Sequence, residues 1–323
     1  MKIGFTTSLP VEVLFAAGHT PIDMNNVFVT GNANKYVEDA EFDGYPRNIC
    51  SWIKGMYGVA MKNKMDAIIG VVEGDCSNTH SLMETLQDQE LNVIPFSFPH
   101  NRDRAALEKQ ISMLEERFGV TRAQTLEMKK RLDIIRKKLI TLDELTWKEN
   151  KVTGLENHLW LVNSSDFEGN PDSFEKRLDE FLKEASARKA LNTEFKLGFL
   201  GVPPIITDLY EHLLESGVNV VFNEVQRQFA MPNLADDIID QYMIYTYPYN
   251  IFHRLEDIKK QLELRNVDGV ISYSQSFCHR QIDNILIKKH LDYPILVVEG
   301  DAPGPLDARS KLRIESFLDM LRY

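Results

Sequence analysis

Three cysteines are the residues of this chain best suited to chemistry: Cys50, Cys76 and Cys278. Cys76 follows the apolar run Ala67-Ile68-Ile69-Gly70-Val71-Val72 and the small loop Glu73-Gly74-Asp75. Leu82, Met83 and Leu86 come next at the spacing of a helix face. A short apolar run between breakers reads as a buried parallel strand. The thiol therefore falls where a strand ends and a helix begins, the usual place for ligands in open α/β sheets. First-turn N–H groups there favour a thiolate. The pattern recurs 202 positions downstream in Val267-Asp268-Gly269-Val270-Ile271-Ser272-Tyr273-Ser274-Gln275-Ser276-Phe277-Cys278. Asp66 and Asp268 each stand ten residues before their cysteine.

Other stretches repeat as well. Tyr45-Pro46-Arg47-Asn48-Ile49-Cys50 aligns with Tyr247-Pro248-Tyr249-Asn250-Ile251-Phe252, and Lys2-Ile3-Gly4-Phe5 with Lys196-Leu197-Gly198-Phe199. Self-similarity at a long, nearly fixed offset implies two related lobes. The four equivalent positions then hold Cys50, Cys76, Phe252 and Cys278. Facing lobes would bring such strand ends together across a cleft, where ligand sites tend to occur.

An isolated cysteine is commonly just a small buried hydrophobe. Here all three precede helices and two occupy equivalent strand ends, which points to a shared ligand. Structural zinc uses paired Cys-x-x-Cys knuckles, and the chain has none. A three-cysteine zinc site completed by His80 or His279 has no supporting spacing. An iron–sulfur cluster accepts widely separated thiolates, because the cluster itself bridges the distance. Three thiolates leave one iron of a [4Fe–4S] cluster for another ligand. With Phe252 at the fourth place, that corner is expected to be open to substrate, as in catalytic metal sites. Glu73, Asp75, Ser276 and His279 flank the cysteines as candidate acids, bases or fourth ligands, although loop polarity explains them as well. Glu12, one turn into the first helix, is a further catalytic candidate that the helix dipole alone would also favour. Glu299-Gly300-Asp301 echoes Glu73-Gly74-Asp75 at another strand end.

The elements that must position these residues alternate strand and helix. That predicts an α/β fold: two Rossmann-like lobes with parallel sheets, and a helical insertion between them. The divisions fall at 1–100, 101–190 and 191–323, the first lobe carrying Cys50 and Cys76 and the second Cys278. In the first lobe, Val27–Asn32 reads as a short strand and turn. In the insertion, Gly119 and Asn150 mark helix breaks. Its basic cluster, Lys129, Lys130, Arg131, Arg136, Lys137 and Lys138, reads as a solvated helix face, since Glu127 and Asp133 are interspersed. The last helix presents Leu312, Phe317, Leu318 and Leu321 as a docking face.

Composition narrows the classes. A chain of 323 residues with 43% hydrophobic and 26% charged residues is that of a globular protein. A net charge of −11 argues against nonspecific binding to nucleic acid or anionic membranes. No apolar run approaches the about 20 residues that span a bilayer. The first residues read as a strand rather than a leader, and three cysteines make no disulfide framework, so a cytoplasmic protein is expected. No Walker or dinucleotide fingerprint is present, so any ATP would be spent by a partner.

At Leu9-Pro10-Val11-Glu12, Ala16-Ala17-Gly18-His19-Thr20-Pro21, the three cysteines and Arg309-Ser310-Lys311-Leu312-Arg313-Ile314-Glu315-Ser316-Phe317-Leu318, the chain resembles the 2-hydroxyacyl-CoA dehydratase and benzoyl-CoA reductase family. The likeness is to the cluster-bearing D-component subunits and covers nearly the whole chain. It implies a [4Fe–4S] cluster held by Cys50, Cys76 and Cys278 between two α/β lobes. It implies an electron delivered by a separate ATP-hydrolysing iron–sulfur activator, and an acyl-CoA substrate passing through a ketyl radical anion. It also implies a homodimer or a heterodimer with a related subunit. The chain would then act as a dehydratase or ATP-coupled reductase. The other reading is a non-catalytic electron relay or partner subunit.

Overall fold

The computed structural model describes residues 1–323. Eight short strands form two four-stranded sheets. The first contains β1 (Lys2–Phe5), β2 (Thr20–Asp23), β3 (Ala67–Glu73) and β4 (Val93–Ser97). The second contains β5 (Phe195–Leu200), β6 (Val218–Asn223), β7 (Gly269–Gln275) and β8 (Ile295–Gly300). Every pairing is parallel, and the strand orders are β2-β1-β3-β4 and β6-β5-β7-β8. The two lobes thus share one topology, as the sequence repeat predicts. Helices cover both faces, which is why β3 and β7 read as continuous apolar or small runs.

The repeated aspartates have a local purpose. Asp66 Oδ2 accepts from the Lys2 N–H at 2.6 Å, and Asp268 Oδ2 accepts from the Lys196 N–H at 2.8 Å. Each satisfies the free donor at the start of the neighbouring central strand and fixes its register. In both sheets the chain reverses direction across the sheet between the first and third strands of the lobe. Loops leaving the carboxyl ends of those strands border a crevice, the site where ligands bind in such sheets.

Between the sheets lie the helices Arg104–Phe118, Arg122–Trp147, Gly154–Asn163 and Pro171–Ala187. Gly119 and Asn150 adopt left-handed backbone and end the first two, as the sequence predicts. Capping boxes Thr121/Gln124 and Thr153/Glu156 start the second and third. One apolar core runs from β1, β3 and β4 through Leu107, Leu132 and Leu139 to Val225, Ile238 and Tyr242. The insertion and part of the second half therefore pack on the first sheet.

Three local expectations are corrected. Residues Met24–Thr30 form a helix, not a strand: Asp23 accepts from the Asn25 N–H at 2.9 Å, and Met24 and Phe28 bury one face four residues apart. The β-branched Val27 and Val29 mislead because tertiary burial overrides propensity. The basic cluster is a solvated face only at Lys130 and Lys137. Lys129 and Arg136 are buried, Lys129 held by Asp133 and the Ala235 carbonyl, while Arg131 and Lys138 pair with Glu175 on the adjacent helix. In the last helix, Ala308–Leu321, the buried side is Ile314, Phe317 and Leu318, whereas Leu312 is 64% exposed.

Candidate active site

Cys50 is the N-cap of the helix Ser51–Lys62. Cys76 follows β3, and Cys278 follows β7 at the start of a short 3-10 turn, His279–Gln281. All three line one cavity that opens to solvent and encloses about 850 Å³ of space, its mouth included. Thr6 and Thr7 after β1, and Val202 and Pro203 after β5, complete the border from both lobes. No three His, Cys, Asp or Glu side chains stand close enough to hold a single metal ion. A group joining the three thiols would itself have to span the space between them. Burial pushes the Cys50 thiol up to about 11 and Cys76 up to about 12, and raises Cys278 as well. The amides of Trp52, Asn78 and Arg280, each two residues past its cysteine, partly offset that rise. The sulfurs are placed as soft donors that would exchange a proton for a metal.

Carboxylates stand beside the thiols. Asp75 is half-buried, and loss of solvent around its carboxyl lifts it to about 6; the Tyr247 hydroxyl donates to its Oδ1 at 2.9 Å. The Arg280 guanidinium lies 4.6 Å from the Tyr247 ring centroid and donates to the Tyr247 carbonyl at 3.1 Å. Asp23, at the end of β2, also faces the cavity and is raised by burial. Its Oδ2 accepts from Ser165 Oγ at 2.6 Å, and its own N–H donates to Asp166 Oδ2 at 2.7 Å. Burial and then the Asp23 charge raise Asp166 to about 7.

The lobes are tied at the same place. Ser51 Oγ and Gln275 Nε2 both donate to the Asp301 carbonyl, at 2.6 and 3.1 Å. A family model described as 2-hydroxyglutaryl-CoA dehydratase, D-component, matches residues 6–321. The chain belongs to that family. Comparison with curated protein sequences gives no match. Membership makes this a dehydratase-like enzyme in general terms, and the two parallel sheets are consistent with it. No helix is long and apolar enough to cross a membrane.

Within this dehydratase-family chain, the residues singled out from sequence separate. His279 lines the cavity at its exposed side, and partial loss of solvent with the neighbouring Arg280 charge holds its pKa below the usual imidazole value. Ser276 is buried behind Cys278 and donates to Glu299 Oε1 at 2.7 Å, which braces the turn. Glu73 points to the surface and accepts from the His100 N–H at 3.0 Å. Glu12 lies outside the cavity, fully buried, with Arg136 Nη2 at 2.7 Å and the Tyr242 hydroxyl at 2.9 Å.

Phe252 is not the counterpart of Cys50. It is the second residue of the helix Ile251–Arg265, is 57% exposed and packs near His290. The N-cap there is Asn250, whose side chain accepts from the His253 N–H at 3.1 Å. The register of the repeat therefore slips by two at this helix start. Asp23, Asn26, Tyr247 and Arg280 reach the cavity without having been singled out. Tyr247 sat in the repeated Tyr-Pro element, and Arg280 two residues beyond Cys278, so partial signals existed for both. Asp23 and Asn26 carried none.

Proposed function

We propose that this chain is the cluster-bearing subunit of a 2-hydroxyacyl-CoA dehydratase, with Cys50, Cys76 and Cys278 holding a [4Fe–4S] cluster. The observation that carries the reading is that thiols from both lobes border one cavity while no tighter set exists for a single ion. When bound, the cluster would supply the low-potential electron that lets a thioester carbonyl drive off the neighbouring hydroxyl. The chain's own residues hold the sulfurs beside the amides of Trp52, Asn78 and Arg280, which favour the thiolate form. Apolar side chains such as Ile53, Met56 and Phe229 keep water from the reacting group. His279 and Asp75 are the groups placed to take or return a proton beside it. Ser276 acts by bracing the Cys278 turn, Glu12 by tying the first helix to Arg136 and Tyr242, and Glu73 by holding the His100 backbone after β4. The electron comes from a separate ATP-hydrolysing iron–sulfur activator, since the chain has no nucleotide fingerprint of its own. The subunit works as a homodimer or beside a related subunit, in the cytoplasm.

The test is the iron and acid-labile sulfide content and absorption spectrum of anaerobically purified protein, beside a Cys76→Ser variant. We expect four irons and four sulfides per chain in the parent, sharply reduced in the variant. A parent free of iron and sulfide, or a variant with an unchanged cluster, would overturn the reading. Dehydration of a 2-hydroxyacyl-CoA on adding activator, ATP and a strong reductant then separates the enzyme from a relay.

A further inference from the structure

We propose that the acyl group received by this cavity carries an uncharged, apolar side chain, in place of the second carboxylate of a 2-hydroxyglutaryl group. This rests on the reading above, that the cavity takes a 2-hydroxyacyl thioester, and adds which kind.

Much of the lining is hydrocarbon. Val29, Ile53, Met56, Val162 and Phe229 converge on it from four different helices. Among the charged side chains of the lining, carboxylates outnumber cations. Asp23 and Asp75 reach the cavity, and Asp166 stands directly behind Asp23. Against them, Arg280 is the one arginine in the lining, and no lysine reaches it. Its guanidinium is already committed to the Tyr247 ring and carbonyl, with Asp283 3.9 Å away. A further carboxylate would enter a space that holds two and has no free cation. Burying an unpaired charge is far costlier than burying an alkyl or aryl group, which gains by leaving water. That burial has already raised both Asp23 and Asp166 is the mark of a site short of positive charge.

The neutral part of such a ligand has partners to meet. Three lining residues carry a buried polar atom with no protein partner: Trp52 Nε1, Thr79 Oγ1 and Asn26 Oδ1. A donor, a hydroxyl and an acceptor suit a thioester carbonyl and a neighbouring hydroxyl, both uncharged.

The experiment is titration calorimetry of the full chain, purified anaerobically, with 2-hydroxyisocaproyl-CoA and 2-hydroxyglutaryl-CoA. The apolar thioester is expected to bind at least tenfold more tightly, with a negative heat-capacity change. Val29→Lys, which places a cation at a half-exposed position of the lining, is expected to cut that preference at least fivefold. Equal or tighter binding of the glutaryl thioester would overturn this inference and leave the dehydratase reading standing. So would an unchanged preference in a folded Val29→Lys protein. Binding of neither thioester would overturn both. Should the variant fail to fold, the comparison on the parent chain decides alone.

Discussion

Tyr247 and Asp75 meet across the two lobes: the tyrosine hydroxyl donates to the Asp75 carboxylate at 2.9 Å. Asp75 precedes Cys76, and the Tyr247 ring carries the guanidinium of Arg280, two residues past Cys278. One chain of contacts therefore couples a cysteine of the first lobe to a cysteine of the second. Tyr247→Phe leaves the half-buried Asp75 with one acceptor unmet, a loss of about 1 kcal/mol. The Asp75 carboxyl, now about 6, is expected to rise further. Urea unfolding of parent and variant across pH measures both.

The raised carboxyls set the slope of stability with pH. Asp166 has a folded pKa of about 7 against an ordinary 3.8, and Asp75 about 6. The folded state therefore holds these protons more tightly than the unfolded chain. Their contribution is complete below the ordinary carboxylate pKa and is lost as pH climbs through the folded values. Unfolding free energy is expected to fall between pH 5 and 7 by on the order of a few kcal/mol. Asp166→Asn should flatten most of that fall, which unfolding midpoints at the two pH values would show.

Gly74 turns the chain from β3 into the Cys76 loop with a φ of +95°. A Cβ there would sit 2.8 Å from the Phe98 Cβ and 2.9 Å from the Pro248 Cβ. Gly74→Ala therefore adds a clash to left-handed strain, and a loss above about 2 kcal/mol is expected. Gly18, at +70° with open space around it, is the control. Gly18→Ala should cost about 1 kcal/mol, the strain alone. Thermal melts rank the two, and iron retention reports whether only Gly74→Ala displaces Cys76.

Glu12 and Arg136 form a buried ion pair between the first helix, Val11–Ala16, and the helix Arg122–Trp147. Removing one partner strands the other charge. Arg136→Met alone is expected to cost about 3–5 kcal/mol. The double change Glu12→Leu with Arg136→Met should recover most of it. Urea denaturation of the three variants closes that cycle.

What the amino-acid order determined by itself was local. Apolar runs bounded by small polar loops announced β3 and β7, and their recurrence announced a second lobe of the same topology. Asp66 and Asp268 stood out at matched places because each performs the same short-range hydrogen bond to a strand start. The breaks at Gly119 and Asn150 were legible for the same reason: backbone conformation answers mainly to near neighbours.

Tertiary packing decided which side chains meet. Lys129 and Arg136 look like a solvated face until the Ala235 carbonyl and Glu12 are brought to them. Phe252 looks like a missing ligand until Asn250 takes the cap and turns the ring to solvent. Asp23, Tyr247 and Arg280 come from distant stretches, and only the closing of one lobe on the other sets them around the thiols. Periodicity follows from forces between residues a few positions apart. Burial and charge pairing depend on what arrives from hundreds of positions away, and no spacing along the chain records that.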